Sequence, residues 1–179
     1  MKKTLFWTIL LISSYFSTTA FAEVRGNLPE PVSSNAEISV EIEYEKIDRV
    51  KSLEVFFEKY NSPLKENAEK FVEVSDQYQI DYRLLPSISC MESTCGKFLI
   101  EGSYNPFGWG IYGDNAIYFE DYNEAIETVG EGLAKNYFQK GRDTVEEIAP
   151  VYTPPNHVNW KNGVNYFIDK IEDSQVKTE

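Results

Sequence analysis

Ser89-Cys90-Met91-Glu92-Ser93-Thr94-Cys95-Gly96-Lys97 gathers an acid, two cysteines and a helix-stopping glycine into one short stretch. Glu92 follows Ile88 by four residues and Leu85 by seven, so on a helix it shares their apolar face. A carboxylate on such a face is costly unless it keeps its proton or finds a partner. Desolvation raises its pKa, and a carboxyl group that holds a proton near neutral pH can deliver it to a leaving oxygen. A semi-buried glutamate tied into a salt bridge is the other reading, and position alone leaves the two open. Gly96 suits the residue just past the helix end.

Working outward, the pattern predicts a mainly α domain over residues 52–174. Asp81 can cap the helix that carries Leu84, Leu85, Ile88 and Met91. Upstream, Ser62-Pro63 is an N-cap followed by proline at the first helical position, and Leu64, Ala68, Phe71, Val72, Ser75 and Tyr78 fall on one face. Residues 97–120 lose the helical period and gain Gly, Asn, Pro and aromatics, which predicts an irregular lobe with a short β-hairpin. Beyond it, Ile126, Val129, Leu133 and Tyr137 mark a third helix ending near Gly141. Asp143-Thr144-Val145-Glu146 resembles a capping box opening a short helix. Pro154-Pro155 closes that segment, and Trp160, Val164, Phe167, Ile168 and Ile171 form a last amphipathic helix. Residues 175–179 are a tail.

Residues 1–22 predict a secretory signal peptide. Lys2 and Lys3 precede an apolar run over 5–12, and Ala20-Phe21-Ala22 supplies small residues for cleavage. The run is too short for an ordinary membrane span, and an uncleaved anchor is the alternative. The chain is therefore expected to be exported, to the periplasm or the cell wall. Residues 23–51 are expected to be an acidic linker. Ile38, Val40, Ile42 and Tyr44 alternate there with polar residues, as in a strand, but an isolated acidic strand has no evident partner.

Loss of Lys2 and Lys3 moves the net charge from −12 to −14. Such a chain repels nucleic acid and anionic lipid, so an acidic polymer must be held by a shaped cleft. An aromatic fraction of 15% is high enough to line one, although most of those rings belong to the core. With one histidine, His157, a His-based metal site is not expected, and no cofactor is implied.

Two cysteines in an exported chain favour a disulfide. Five residues of unbroken helix would hold the Cα atoms of Cys90 and Cys95 roughly 8.6 Å apart, beyond a disulfide's reach. Pairing therefore requires the helix to end between Glu92 and Cys95. A cysteine peptidase using either thiol with His157 is the rival enzyme. It is disfavoured because both cysteines fall at a helix C-terminus, where the dipole opposes a thiolate.

Glu92-Ser93-Thr94-x-Gly96-Lys97, followed by Tyr104-Asn105-x-Phe107-Gly108-x-Gly110, resembles the signature of lysozyme-like peptidoglycan glycosidases. It is most similar to the endo-β-N-acetylglucosaminidases of glycoside hydrolase family 73 and more distantly similar to lytic transglycosylases. Phe119-x-x-Tyr122-x-x-Ala125-Ile126 matches the return from lobe to helix, and the resemblance covers residues 62–172. It implies a lysozyme-like helical domain with a small irregular or β-hairpin lobe, in which Glu92 is the general acid. It further implies a substrate-binding set of Ser93, Tyr104, Asn105, Phe107, Gly108, Trp109 and Tyr152. Cys95 departs from the pattern, which usually has an aromatic or apolar residue before the glycine. A second carboxylate, where the family uses one, comes from the lobe. Asp114, Glu120 and Asp121 are eligible, with Asp114 favoured by its Gly113-Asp114-Asn115 turn.

The resemblance implies cleavage of β-1,4 bonds in peptidoglycan strands by a monomer. Every sugar of that polymer carries a 2-N-acetyl group able to attack its own anomeric carbon, so one acid suffices. Water as nucleophile gives hydrolysis; the 6-hydroxyl of muramic acid gives an anhydro end. A non-catalytic glycan-binding module is the competing reading from another class. A cell-envelope assembly needing a local opening in the wall is an open context.

Overall fold

The computed structural model describes residues 34–110 and 116–175, and the helix that carries Glu92 lies at their centre. The expected signal peptide over 1–22 falls outside the described residues. So do the start of the expected linker and all of the tail after Gln175. Six α-helices form: α1 (Ser34–Lys59), α2 (Ala68–Tyr78), α3 (Leu84–Ser93), α4 (Tyr122–Asn136), α5 (Val145–Tyr152) and α6 (His157–Glu172). The protein is mainly α, with no strand among the described residues; the expected hairpin is absent from the described part of the lobe. None of these helices is long and apolar enough to cross a membrane.

The alternation over 38–45 gives a helix rather than a strand. Ile38 and Ile42 are also four apart, and the segment runs unbroken into a stretch that buries Leu53, Phe56 and Phe57. Lys46 pairs with Glu69 and Glu73 of α2, and Arg49 makes a two-pronged bond to Asp76. These contacts anchor the middle of α1, while Ile38, Ile42 and Tyr44 stay exposed.

Helix α3 is almost wholly buried, with Leu85, Ile88, Ser87 and Ser89 inaccessible to solvent. Pro86 sits in its first turn, where a missing N–H leaves no bond unmade. Asp81 stands further from the helix than a capping residue. Its carboxylate accepts the Arg83 N–H and grips the Arg83 guanidinium, shaping the turn that precedes α3. Met91 packs against Gly163 of α6, where a Cβ would collide with its sulfur, so glycine sets the close approach of the two helices. Around α3, Phe56, Phe57, Phe71, Leu85, Ile88, Ile126, Leu133, Ile148 and Ile171 form the core. Each such burial is worth about 1.5–3 kcal/mol of transfer free energy.

Ser62 caps a 3₁₀ turn over Pro63–Asn67, accepting the Leu64 N–H, and donates to the Cys95 carbonyl. The capping box ahead of α5 is displaced by one residue from the expected Asp143/Glu146 pair. Thr144 accepts the Glu147 N–H and the Glu147 carboxylate accepts the Thr144 N–H, so Thr144 is the residue with the extended backbone.

Candidate active site

Helix α3 stops at Ser93 because Thr94, Cys95 and Gly96 all adopt positive φ, at 54°, 58° and 77°. This left-handed turn brings the Cα atoms of Cys90 and Cys95 to 3.6 Å, and the two sulfurs are bonded. No free thiol is left, which removes the nucleophile that a cysteine peptidase would need. Gly96 has a second constraint besides φ: a Cβ would stand 3.0 Å from Cγ of Leu64.

Ser93 ties this turn to the lobe. Its buried hydroxyl lies 2.7 Å from the Pro106 carbonyl and 2.9 Å from the Ser89 carbonyl, and it accepts the Gly96 N–H. Asn105 does the same for the lobe itself. Its amide donates to the Trp109 and Ile117 carbonyls and accepts the Trp109 N–H. Both residues belong to the expected binding set, yet their polar atoms face backbone. Phe107 is buried against Phe71, and Tyr104 packs edge-on against Tyr122 while staying partly exposed.

Glu92, one residue before the helix end, opens into a groove rather than into the core. On one side lies a cavity of about 530 Å³ lined by Phe107, Gly108, Trp109, Asn136, Tyr137 and Tyr152. On the other lies one of about 470 Å³ whose walls include Lys97, Phe98, Ile100 and Asn105. Glu92 and Gly108 border both. A Cβ on Gly108 would sit 3.7 Å from Glu92 Oε2, so the missing side chain keeps the junction open. Trp109 packs on α4 at Gly132, where any side chain would strike its ring.

Trp160 of α6, 68 residues away in sequence, donates its indole N–H to Glu92 Oε1 at 2.6 Å. Its ring stacks on Tyr152 at 4.7 Å between centroids, and the Tyr152 hydroxyl donates to the Phe107 carbonyl at 3.2 Å. An acid, an indole, a phenol and the lobe backbone are thus joined in one chain of contacts. The groove leaves Glu92 exposed as a residue, but the protein around its carboxyl group still penalises the charge. Burial pushes its pKa above the usual carboxylate value, and the Trp160 N–H opposes this by favouring the anion. Burial, with the nearby Glu92 charge, raises Tyr152 far above an ordinary phenol and keeps it neutral.

The lobe acids separate. Asp121 caps α4 by accepting the Glu124 N–H, and the Glu120 backbone N–H donates to Glu124. Neither lines the two cavities. The Asp121-x-x-Glu124 spacing is itself a helix-start signal. Asp114 lies outside the described residues. No group of three or more His, Cys, Asp or Glu among the described residues is placed to hold a metal ion. The expected set omitted Trp160, Tyr137 and Asn136. Trp160 reads as a core residue of an amphipathic helix, and no local spacing couples it to Glu92. No protein-family model and no curated protein matches the chain.

Proposed function

We propose that this protein is a lysozyme-like glycosidase that cleaves β-1,4 bonds of peptidoglycan strands, with Glu92 as general acid and then general base. The observation that carries this reading is a carboxyl group with a raised pKa at the junction of two cavities, bonded to a neutral indole and to no cation among the described residues. A salt-bridged structural glutamate would have its pKa lowered. The aromatic walls offer flat faces to sugar rings. The motif resemblance at Glu92–Lys97 and Tyr104–Gly110 supports the same assignment.

Glu92 is the lone carboxylate bordering both cavities among the described residues. This favours a route in which the substrate's 2-N-acetyl oxygen attacks the anomeric carbon as Glu92 protonates the departing bridge oxygen. The C–O bond breaks, the leaving sugar takes the proton, and Glu92 is left as an anion. It then removes a proton from incoming water, which opens the cyclic intermediate and restores the acid. Attack by an internal hydroxyl gives the transglycosylase outcome on the same residues. Action on the wall requires export, for which residues 1–22 carry the signal pattern; the Cys90–Cys95 bond suits an oxidising compartment. Mass spectrometry of fragments released from purified peptidoglycan tests the proposal: new reducing ends mean hydrolysis, anhydro ends mean transglycosylation, and intact strands overturn it.

A further inference from the structure

Two oxygens of Glu92 meet different surroundings. Oε1 accepts the indole N–H of Trp160 at 2.6 Å. Oε2 has no hydrogen-bond partner among the described residues and faces the position where Gly108 lacks a side chain. An indole N–H only donates, so the oxygen it touches must act as an acceptor. The carbonyl oxygen of a protonated carboxyl accepts better than its hydroxyl oxygen. A proton on Oε1 would also have to share that space with the indole hydrogen. Trp160 is in turn fixed by its stack on Tyr152, whose hydroxyl is bonded to the lobe at Phe107.

We propose that Trp160 is a positioning residue that assigns the transferable proton of Glu92 to Oε2, so that the acid delivers it over Gly108 at the junction of the two cavities. This rests on the glycosidase reading for the word delivers; the proton's location does not. The bridge oxygen of the substrate then approaches from the Gly108 side, and one sugar lies in each cavity. Gly108 has a φ of 60°, which favours glycine, and a Cβ there would stand in van der Waals contact with Oε2, at 3.7 Å, on the side from which the bridge oxygen approaches. Among the described residues, three other titratable groups border this part of the groove. Tyr152 of α5 is neutral, Tyr137 follows α4, and Lys97 of the lobe directs its Nζ to the Tyr60 carbonyl at 2.8 Å.

The experiment is indole N–H spectroscopy of ¹⁵N-labelled protein across pH, with Glu92→Gln as the control. The Trp160 signal is expected to titrate, and to stop titrating in Glu92→Gln. A Trp160 signal that ignores pH, or that titrates equally in Glu92→Gln, overturns the proposal whether or not the protein cuts glycan. Trp160→Phe keeps a ring on Tyr152 and removes the N–H. Its kcat is expected to fall by about tenfold with KM little changed, because the acid loses its fixed orientation. The alkaline limb of its pH–rate profile should move to higher pH, since the anion loses a donor. A Trp160→Phe profile superimposable on wild type also overturns it. If wild type shows no cleavage at all, the glycosidase reading fails and the indole titration still judges whether Trp160 holds the Glu92 carboxyl group.

Discussion

Breaking the Cys90–Cys95 bond should weaken both the fold and the site, for reasons that can be separated. The bond joins residues five apart, and the loop-entropy relation for so short a loop gives about 2 kcal/mol at 25 °C. Replacing both cysteines by alanine also removes two buried sulfur atoms, which adds about 1 kcal/mol of lost packing. At about 3 °C per kcal/mol for a domain of this size, the double variant should melt about 10 °C lower. Phosphine reduction of wild type isolates the cross-link and should show the smaller loss. Thr94 and Cys95 are non-glycine residues held at positive φ, each costing about 1 kcal/mol or more. The Ser62–Cys95 and Ser93–Gly96 hydrogen bonds still hold that turn in the reduced protein, but less tightly, so the end of α3 can shift beneath the groove. Activity of the reduced protein should therefore fall below that expected from its folded fraction. Urea unfolding curves of oxidised, reduced and double-alanine protein make the measurement. Coincident oxidised and reduced curves would mean that the bond does not stabilise the fold.

Gly96→Ala should destabilise by more than about 1 kcal/mol, because it joins an unfavourable φ to a 3.0 Å contact with Leu64; an unchanged urea midpoint would contradict this. Thr144→Ala should lose about 1 kcal/mol by removing the cap of α5, with glycan cleavage per folded molecule unaltered. In the proposed role Glu92 acts in its protonated form, so the rate should fall as pH rises through its raised pKa. The same shift has a sign for stability. Between the unfolded carboxylate value and the raised folded value the native state binds more protons, so stability declines with rising pH across that window. Glu92→Gln should flatten this slope in denaturant melts taken across pH.

Much of the helical frame was legible because single apolar faces repeat at helical spacing. The faces of Leu84–Met91 and Trp160–Ile171 lie wholly on α3 and α6, while those of Leu64–Tyr78 and Ile126–Tyr137 each overrun their α-helix, Leu64 falling in the 3₁₀ turn before α2 and Tyr137 just past the end of α4. The placement of Glu92 at the end of α3 was legible too, since it follows from Ile88 and the stop at Gly96. A helix was not legible over 38–45, where a linker was expected, because the period-two alternation masks the four-residue spacing of Ile38 and Ile42. The ion pairs that anchor α1 come from α2, more than twenty residues on. Trp160 was invisible as a site residue for the same reason: its bond to Glu92 is made by the α3–α6 crossing at Gly163, a tertiary fact. Ser93 and Asn105 stand in the motif, yet their polar atoms are engaged by the lobe's own backbone.

Whether Glu92 supplies the proton is decided by the release of soluble fragments from purified peptidoglycan by wild type and Glu92→Gln at equal folded concentration. Gln keeps the shape and can still accept the Trp160 N–H, so folding should be retained while activity falls by about 10²–10⁴-fold. A folded Glu92→Gln protein that releases fragments at the wild-type rate would contradict the account.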